Sequence, residues 1–272
     1  MDEGWGRIED IRENRNMINQ IKEQLVKLEK DRNIKILLAV ESGSRAWGIP
    51  SPDSDYDVRM IYIHTTDWYL SIGERKDSID FFEGELLDIS GWDIRKAFKL
   101  VRKSNATPME WCRSPIIYHE EEGFVSELKQ LTSSYFVPKH TINHYWGIAK
   151  NSFHSNYKDN KIILKKLFYV LRPLLAAKWI IKYNEIPPIT LDELIVLVDD
   201  KIVKEKIENL ISFKETAKER YTYVVEDDIL KYVESLFDEI KNVNFPDSEM
   251  LMDDELNIKF RELLKRYEND HI

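Results

Sequence analysis

The chain has 272 residues, 43% of them hydrophobic and 33% charged, and a formal net charge of −9. That length and composition suit a globular protein of one large domain or two ordinary ones. The acidic balance argues against a chain that coats nucleic acid, though it leaves room for a local basic face. No run approaches the ~20 apolar residues of a membrane helix. The start, Met1-Asp-Glu-Gly-Trp5, does not read as a basic and then apolar leader. A single cysteine, Cys112, excludes an internal disulfide and any multi-cysteine zinc site. A cytoplasmic location is expected.

In chain order, Ile11, Ile18, Ile21, Leu25 and Leu28 fall on one face of an amphipathic helix over roughly 8–31. A strand is expected at 34–40, ending at a Gly43-Ser44 turn. Trp47–Pro52 holds a glycine and two prolines and reads as a loop. The next strand spans 57–63. Two further strands, 77–82 and 85–92, flank Glu83-Gly84, a hairpin signal. A helix follows over 93–103, and Thr107-Pro108 has the form of an N-cap with proline at the first helical position. Beyond about 139 the strand signals fade. Helical patterns fit 139–157, 160–183, 190–198, 200–217, 226–241 and 255–268. The expected fold is α+β: a small mixed sheet over residues 1–135, then an all-helical domain over 136–272.

The informative stretch is Gly43-Ser-Arg-Ala-Trp-Gly-Ile-Pro-Ser-Pro-Asp-Ser-Asp-Tyr-Asp57. Strand geometry puts residues i and i+2 on one face, so Asp55 and Asp57 point to one spot. Paired carboxylates repel unless a cation lies between them, and hard oxygen ligands suit Mg²⁺. A Gly-Ser turn after a strand can offer backbone N–H groups and a hydroxyl to phosphate oxygens. Together these parts describe a site for a metal-bound nucleoside triphosphate.

The same residues resemble the DNA polymerase β-like nucleotidyltransferase superfamily. Glu41-Ser-Gly-Ser-Arg-Ala-Trp-Gly48, Asp53-Ser-Asp-Tyr-Asp-Val-Arg59 and Asp88-Ile-Ser-Gly-Trp-Asp93 are similar to one branch, the YcgL-like and RNA-ligase-associated (RlaP-type) predicted nucleotidyltransferases. A weaker likeness, Tyr169-Val-Leu-Arg-Pro-Leu-Leu175, continues into the helical half. The resemblance implies a Mg²⁺- or Mn²⁺-dependent enzyme that moves a nucleoside monophosphate from an NTP to an acceptor hydroxyl. It also implies an RNA, tRNA-like end as that acceptor. A small molecule or a protein side chain is the alternative acceptor, and a non-catalytic nucleotide-binding protein is a third reading.

Three carboxylates hold the metals in that superfamily. Asp55 and Asp57 are two. Asp88, between Leu87 and Ile89, is the expected third, and Asp93 is its rival, with the look of a helix N-cap. Gly43 and Ser44 are expected at the triphosphate. Arg45 meets either the nucleotide or a structural partner, and Arg59 shares the face of Asp57. The helical half would supply Lys165, Tyr169 and Arg172, which share a face by four-and-three spacing. On the helix after Asp93, Arg95, Lys99, Arg102 and Lys103 form a basic stripe, open either to RNA or to solvent. His140 and His144 lack partners for a zinc set, Trp47 reads as core, and Cys112 as a buried small apolar group.

Overall fold

The computed structural model describes residues 3–83, 86–244 and 252–268, with side chains within 14–81, 86–244 and 252–268. Helix α1 (Glu3–Arg32) ends at Asn33, whose φ of 49° closes the helix in the left-handed conformation. Its Ile21, Leu25 and Leu28 are buried against one face of the sheet, with Val58, Met60, Tyr62 and Ile89. The amphipathic period seen in the sequence is the period of that contact.

Five strands make the sheet: β1 (Lys35–Glu41), β2 (Tyr56–Ile63), β3 (Ser78–Glu83), β4 (Leu87–Asp93) and β5 (Ile117–Glu120). Their order is β3-β4-β2-β1-β5. The β2–β4 pair is parallel and the others are antiparallel, so the sheet is mixed, as expected. The two strands of the expected hairpin do pair, and residues 84–85 of its turn lie outside the described residues. A register shift in β1 between Ile36 and Leu38 lets both Leu37 and Leu38 join the second face of the sheet. Short helices α2 (Gly43–Ala46) and α3 (Thr66–Tyr69) follow β1 and β2, and α4 (Ile94–Arg102), α5 (Ala106–Trp111) and α6 (Phe124–Ser134) follow later. Phe98 and Val101 of α4 with Leu128 and Leu131 of α6 bury that second face.

Residue 135, the expected boundary, lies in the short connection between α6 and α7 (Pro138–Asn156). Beyond it come β6 (Lys161–Ile163), α8 (Leu164–Tyr183), α9 (Leu191–Leu194) with a 3₁₀ turn to Leu197, α10 (Lys201–Lys214), β7 (Thr222–Val224), α11 (Asp227–Lys241) and α12 (Asp254–Glu268). Helix α8 is buried along most of its length, which makes it the core of this half. Trp47 and Ile49 from the first half enter the same core, and α12 returns to the sheet side through Leu256, Leu263 and Tyr267. No described helix is long and apolar enough to cross a membrane.

Three local expectations are corrected. Residues 161–163 are not the first turn of a helix but a strand paired with β7. Ile162 and Ile163 favour the extended state, and the Tyr221-Thr-Tyr-Val-Val225 run supplies the partner. The cap of α5 is Asn105, not Thr107; its side chain accepts from Thr107 N at 2.9 Å. Gly43-Ser44 opens a single helical turn rather than a bare loop turn.

Candidate functional site

Gly43 fixes the geometry where β1 leaves the sheet. Its φ is 64°, and a Cβ there would stand 2.4 Å from Asp57 Oδ2 and 3.5 Å from the Tyr169 hydroxyl. Only glycine allows this conformation and this approach together. Ser42 N donates to Asp57 O at 2.9 Å, and Asp57 N donates to Glu41 Oε1 at 2.8 Å. Glu41 is itself buried and accepts the Tyr118 hydroxyl on its other oxygen at 2.5 Å. Burial, and then the nearby Asp57 charge, push its carboxyl up to about 7 against those hydrogen bonds.

Asp57 and Asp88 are register partners across the parallel β2–β4 pair. Val58 and Ile89 face α1, so Asp57, Arg59 and Asp88 face the other way, as strand alternation requires. Arg59 Nη2 bridges Asp57 Oδ1 at 3.0 Å and Asp88 Oδ2 at 2.8 Å. Asp88 Oδ1 is buried and has no hydrogen-bond partner. Burial raises the Asp57 carboxyl, and Asp88 and Asp55 raise it further against Arg59 and Lys165. Burial also raises Asp55, followed by the charge of Glu219, with Lys165 and Arg45 opposing. Asp93 is elsewhere. It caps α4, accepting from Arg95 N at 2.9 Å and from the Tyr69 hydroxyl at 2.6 Å.

Ser44 is buried, and its hydroxyl donates to Ser54 Oγ at 3.3 Å. Arg45 holds the segment that leads into β2: Nε donates to Asp55 O at 3.1 Å and Nη2 to Ser54 O at 2.8 Å, with the guanidinium 3.8 Å from the Tyr56 ring centre. Its observed partners are carbonyls and an aromatic face.

The helical half presents Lys165 and Tyr169 to the carboxylates. Lys165 pairs with Glu219. The Tyr169 hydroxyl is pushed up by burial and then by Asp57 and Glu219. Pro173, one turn on, cannot donate to the Tyr169 carbonyl, so the helix ladder is open there. Arg172 is not brought to the cluster. It is 1% exposed, pairs with Glu110 at 2.6 Å, donates to Ile189 O at 3.0 Å, and lies 4.7 Å from the Trp47 ring centre. Trp47 in turn packs on Tyr169, 4.7 Å between ring centres, which places it in the core as expected.

Two residues near the cluster gave little sign in the sequence. Lys214 is 2% exposed and donates to Ile49 O at 2.6 Å and Ser51 Oγ at 3.0 Å. It continues the buried Val203, Ile207, Leu210 stripe of α10, and a lysine on an apolar stripe is the signal that marks it. Glu219 N donates to both Asp53 oxygens, at 3.0 and 3.3 Å. Nothing in its local sequence announces that role. Lys214 and Glu219 thus pin both ends of the loop before Asp55.

Among the described residues, no three His, Cys, Asp or Glu side chains stand together as a ready metal cage, because the Arg59 guanidinium lies between Asp57 and Asp88. The donor set still suits a hard divalent cation. It is all carboxylate oxygen, two of its members have proton affinities raised by burial and by neighbouring carboxylates, and one buried oxygen lacks any partner. His144 meets Asn105 at 3.4 Å, and Cys112 is buried against Met109 O and Thr132.

The model of the RNA repair pathway DNA polymerase beta family matches residues 17–262. The chain belongs to that family. It is also 39% identical over 225 residues to the Uncharacterized protein YcgL of Bacillus subtilis (strain 168), covering 82% of this chain and 86% of that one. A crystal structure of a nucleotidyltransferase-like protein from Exiguobacterium sibiricum aligns over 92% of both chains with a TM-score of 0.31 and 10% identity. The family match takes in both the sheet-borne carboxylates and the α8 face that meets them. Membership supports a transferase of the nucleotidyl group, on the mixed sheet with attached helices described above.

Proposed function

We propose that the protein transfers a nucleoside monophosphate from a metal-bound NTP to a hydroxyl at an RNA end. One observation carries this: Asp55, Asp57 and Asp88 gather where Gly43 lets the backbone approach, opposite Lys165 and Tyr169 of the helical half. Asp55 and Asp57, with the free Oδ1 of Asp88, would hold Mg²⁺ or Mn²⁺. Such an ion would neutralise the triphosphate and the leaving pyrophosphate. The Gly43-Ser44 backbone and hydroxyl receive phosphate oxygens. Lys165, once released from Glu219, supplies a cation for the charge that develops on the leaving group. The acceptor oxygen bonds to the α-phosphorus, the bond from that phosphorus to the bridging oxygen breaks, and pyrophosphate leaves. The acceptor proton passes to a carboxylate of the cluster. Arg172, first expected at the phosphates, acts instead as a brace behind Tyr169.

The net charge of −9 favours a second acceptor class, a small molecule or a protein side chain. One experiment separates the readings. The protein is incubated with each α-labelled NTP, with Mg²⁺ or Mn²⁺, and with total RNA or lysate. Label on RNA supports the first reading, and label on a metabolite or a protein supports the second. No transfer under any condition removes both and leaves a nucleotide-binding role.

A further inference from the structure

A second polar site lies at the other end of β4. Asp93 lies five residue steps along the strand from Asp88, roughly 17 Å at about 3.3 Å per residue. There a cleft of about 280 Å³ opens between α3, the segment after it, and α4. Its cationic lining is Arg75, Arg95, Lys96 and Lys99, against Glu74 and Asp77. Lys96 is paired with Asp77 at 3.6 Å, and Arg95 Nε is 3.4 Å from Asp93. Arg75 and Lys99 are exposed and form no ion pair among the described residues. Against Glu74, Asp77 and the capping Asp93, these four cations leave a small positive surplus in a chain of net charge −9.

The cleft also has an aromatic floor. Trp68 stacks on His64, 3.8 Å between centres and 7° from parallel. The guanidinium groups of Arg95 and Arg75 lie 5.3 and 5.9 Å from the Trp68 ring centre. Burial holds His64 down to about 4 against a backbone hydrogen bond with Asn33, and the charges of Arg75 and Arg95 add a smaller push in the same direction. A second depression of about 240 Å³ shares Arg95 and Lys99 and adds the half-buried Phe260 and the Arg102–Asp253 pair, with Phe98 and Leu256 buried beneath it. Cations that track a backbone beside aromatic and apolar surfaces for bases make a single-strand binding surface.

We propose that this cleft binds the phosphate backbone of single-stranded RNA and holds the body of the acceptor while its end reaches the carboxylates. The proposal rests on RNA as the acceptor, and its test runs without NTP or metal so that the two can fail separately.

The probe is a short labelled single-stranded RNA, read by fluorescence anisotropy across a salt series. The double variant Arg75→Glu/Lys99→Glu changes two exposed side chains. Lys182→Glu/Lys201→Glu makes the same charge change on exposed positions of the helical half. Binding by the wild type that falls about tenfold or more in the first variant and holds in the second supports the cleft. So does a salt slope shallower by about 1 to 1.5, the loss of two phosphate contacts on a single strand. This pattern in a protein that never transfers label keeps the cleft and removes the proposed activity. The cleft is overturned by no RNA binding by the wild type, by equal loss in both variants, or by displacement of RNA by polyglutamate at matched charge, which would give the surface to an acidic protein. Transfer to RNA with unchanged binding by the Arg75/Lys99 variant overturns the cleft alone.

Discussion

Asp57 and Asp88 occupy the same rung of the parallel β2–β4 pair, and the guanidinium of Arg59 spans them. Arg59 is the cation that pairs with both carboxylates, and it offsets their mutual repulsion alongside the more distant Lys165. Arg59→Met should destabilise the metal-free protein by about 1–3 kcal/mol, since both pairs are largely but not fully buried. The same variant should gain more melting temperature from Mg²⁺ or Mn²⁺ than the wild type, because binding to the folded state alone stabilises it. Thermal unfolding with and without each ion reads both effects, and equal ion-induced shifts in the two proteins would separate Arg59 from the cation site.

Gly43 and Gly48 provide an internal comparison. Both have positive φ, 64° and 77°, but a Cβ at Gly48 meets nothing within 4 Å. Gly48→Ala should cost only backbone strain, roughly 1–2 kcal/mol. Gly43→Ala carries similar strain and also drives a methyl into Asp57. Transfer per folded molecule should therefore collapse in Gly43→Ala and persist in Gly48→Ala. Equal activities would mean that the close approach at Gly43 has no part in the chemistry.

Arg172→Ala would leave the half-buried Glu110 without its cation and open a gap in the core beside Trp47. A stability loss of about 3–5 kcal/mol is expected. KM for the NTP, corrected for the folded fraction, should be unchanged. A large rise in KM with normal stability would return Arg172 to the phosphates. The sequence could not make this distinction. Lys165, Tyr169 and Arg172 share a helical face by spacing, but α8 is buried nearly all round, so one turn decides whether a cation meets the carboxylates or the core. By contrast, the carboxylate cluster was legible, because strand alternation is a strict period of two and fixes which side Asp57, Arg59 and Asp88 share. Glu219 was not legible: its position depends on how the segment after α10 folds back over Asp53, which no local pattern encodes.

Burial holds the Lys214 ammonium down to about 8, against the attraction of Glu219. Between about 8 and the unfolded value near 10.4, the unfolded chain binds more protons than the folded one. Stability from this group therefore rises with pH across that window and is flat below it. Lys214→Met should lack that alkaline rise. It should also lose the bonds to Ile49 O and Ser51 Oγ and loosen the loop before Asp55. Melting temperatures of both proteins from pH 7 to 10.5 give the comparison, and parallel curves would show that Lys214 does not titrate there.

Glu219 holds Lys165 and adds negative charge beside Asp55. Both effects oppose an incoming triphosphate: one occupies the cation it needs, the other adds repulsion. Glu219→Gln keeps the size and the backbone bond to Asp53 while removing the charge. It should lower KM for the NTP severalfold. The Asp55 carboxyl, relieved of a like charge, should fall toward its ordinary range. The acid limb of the pH–rate profile should then move to lower pH, since the carboxylate form persists further down. A wild-type pH profile combined with wild-type KM would show that the Lys165–Glu219 pair is a fixed strut, and that the cation meeting the phosphates must come from another residue.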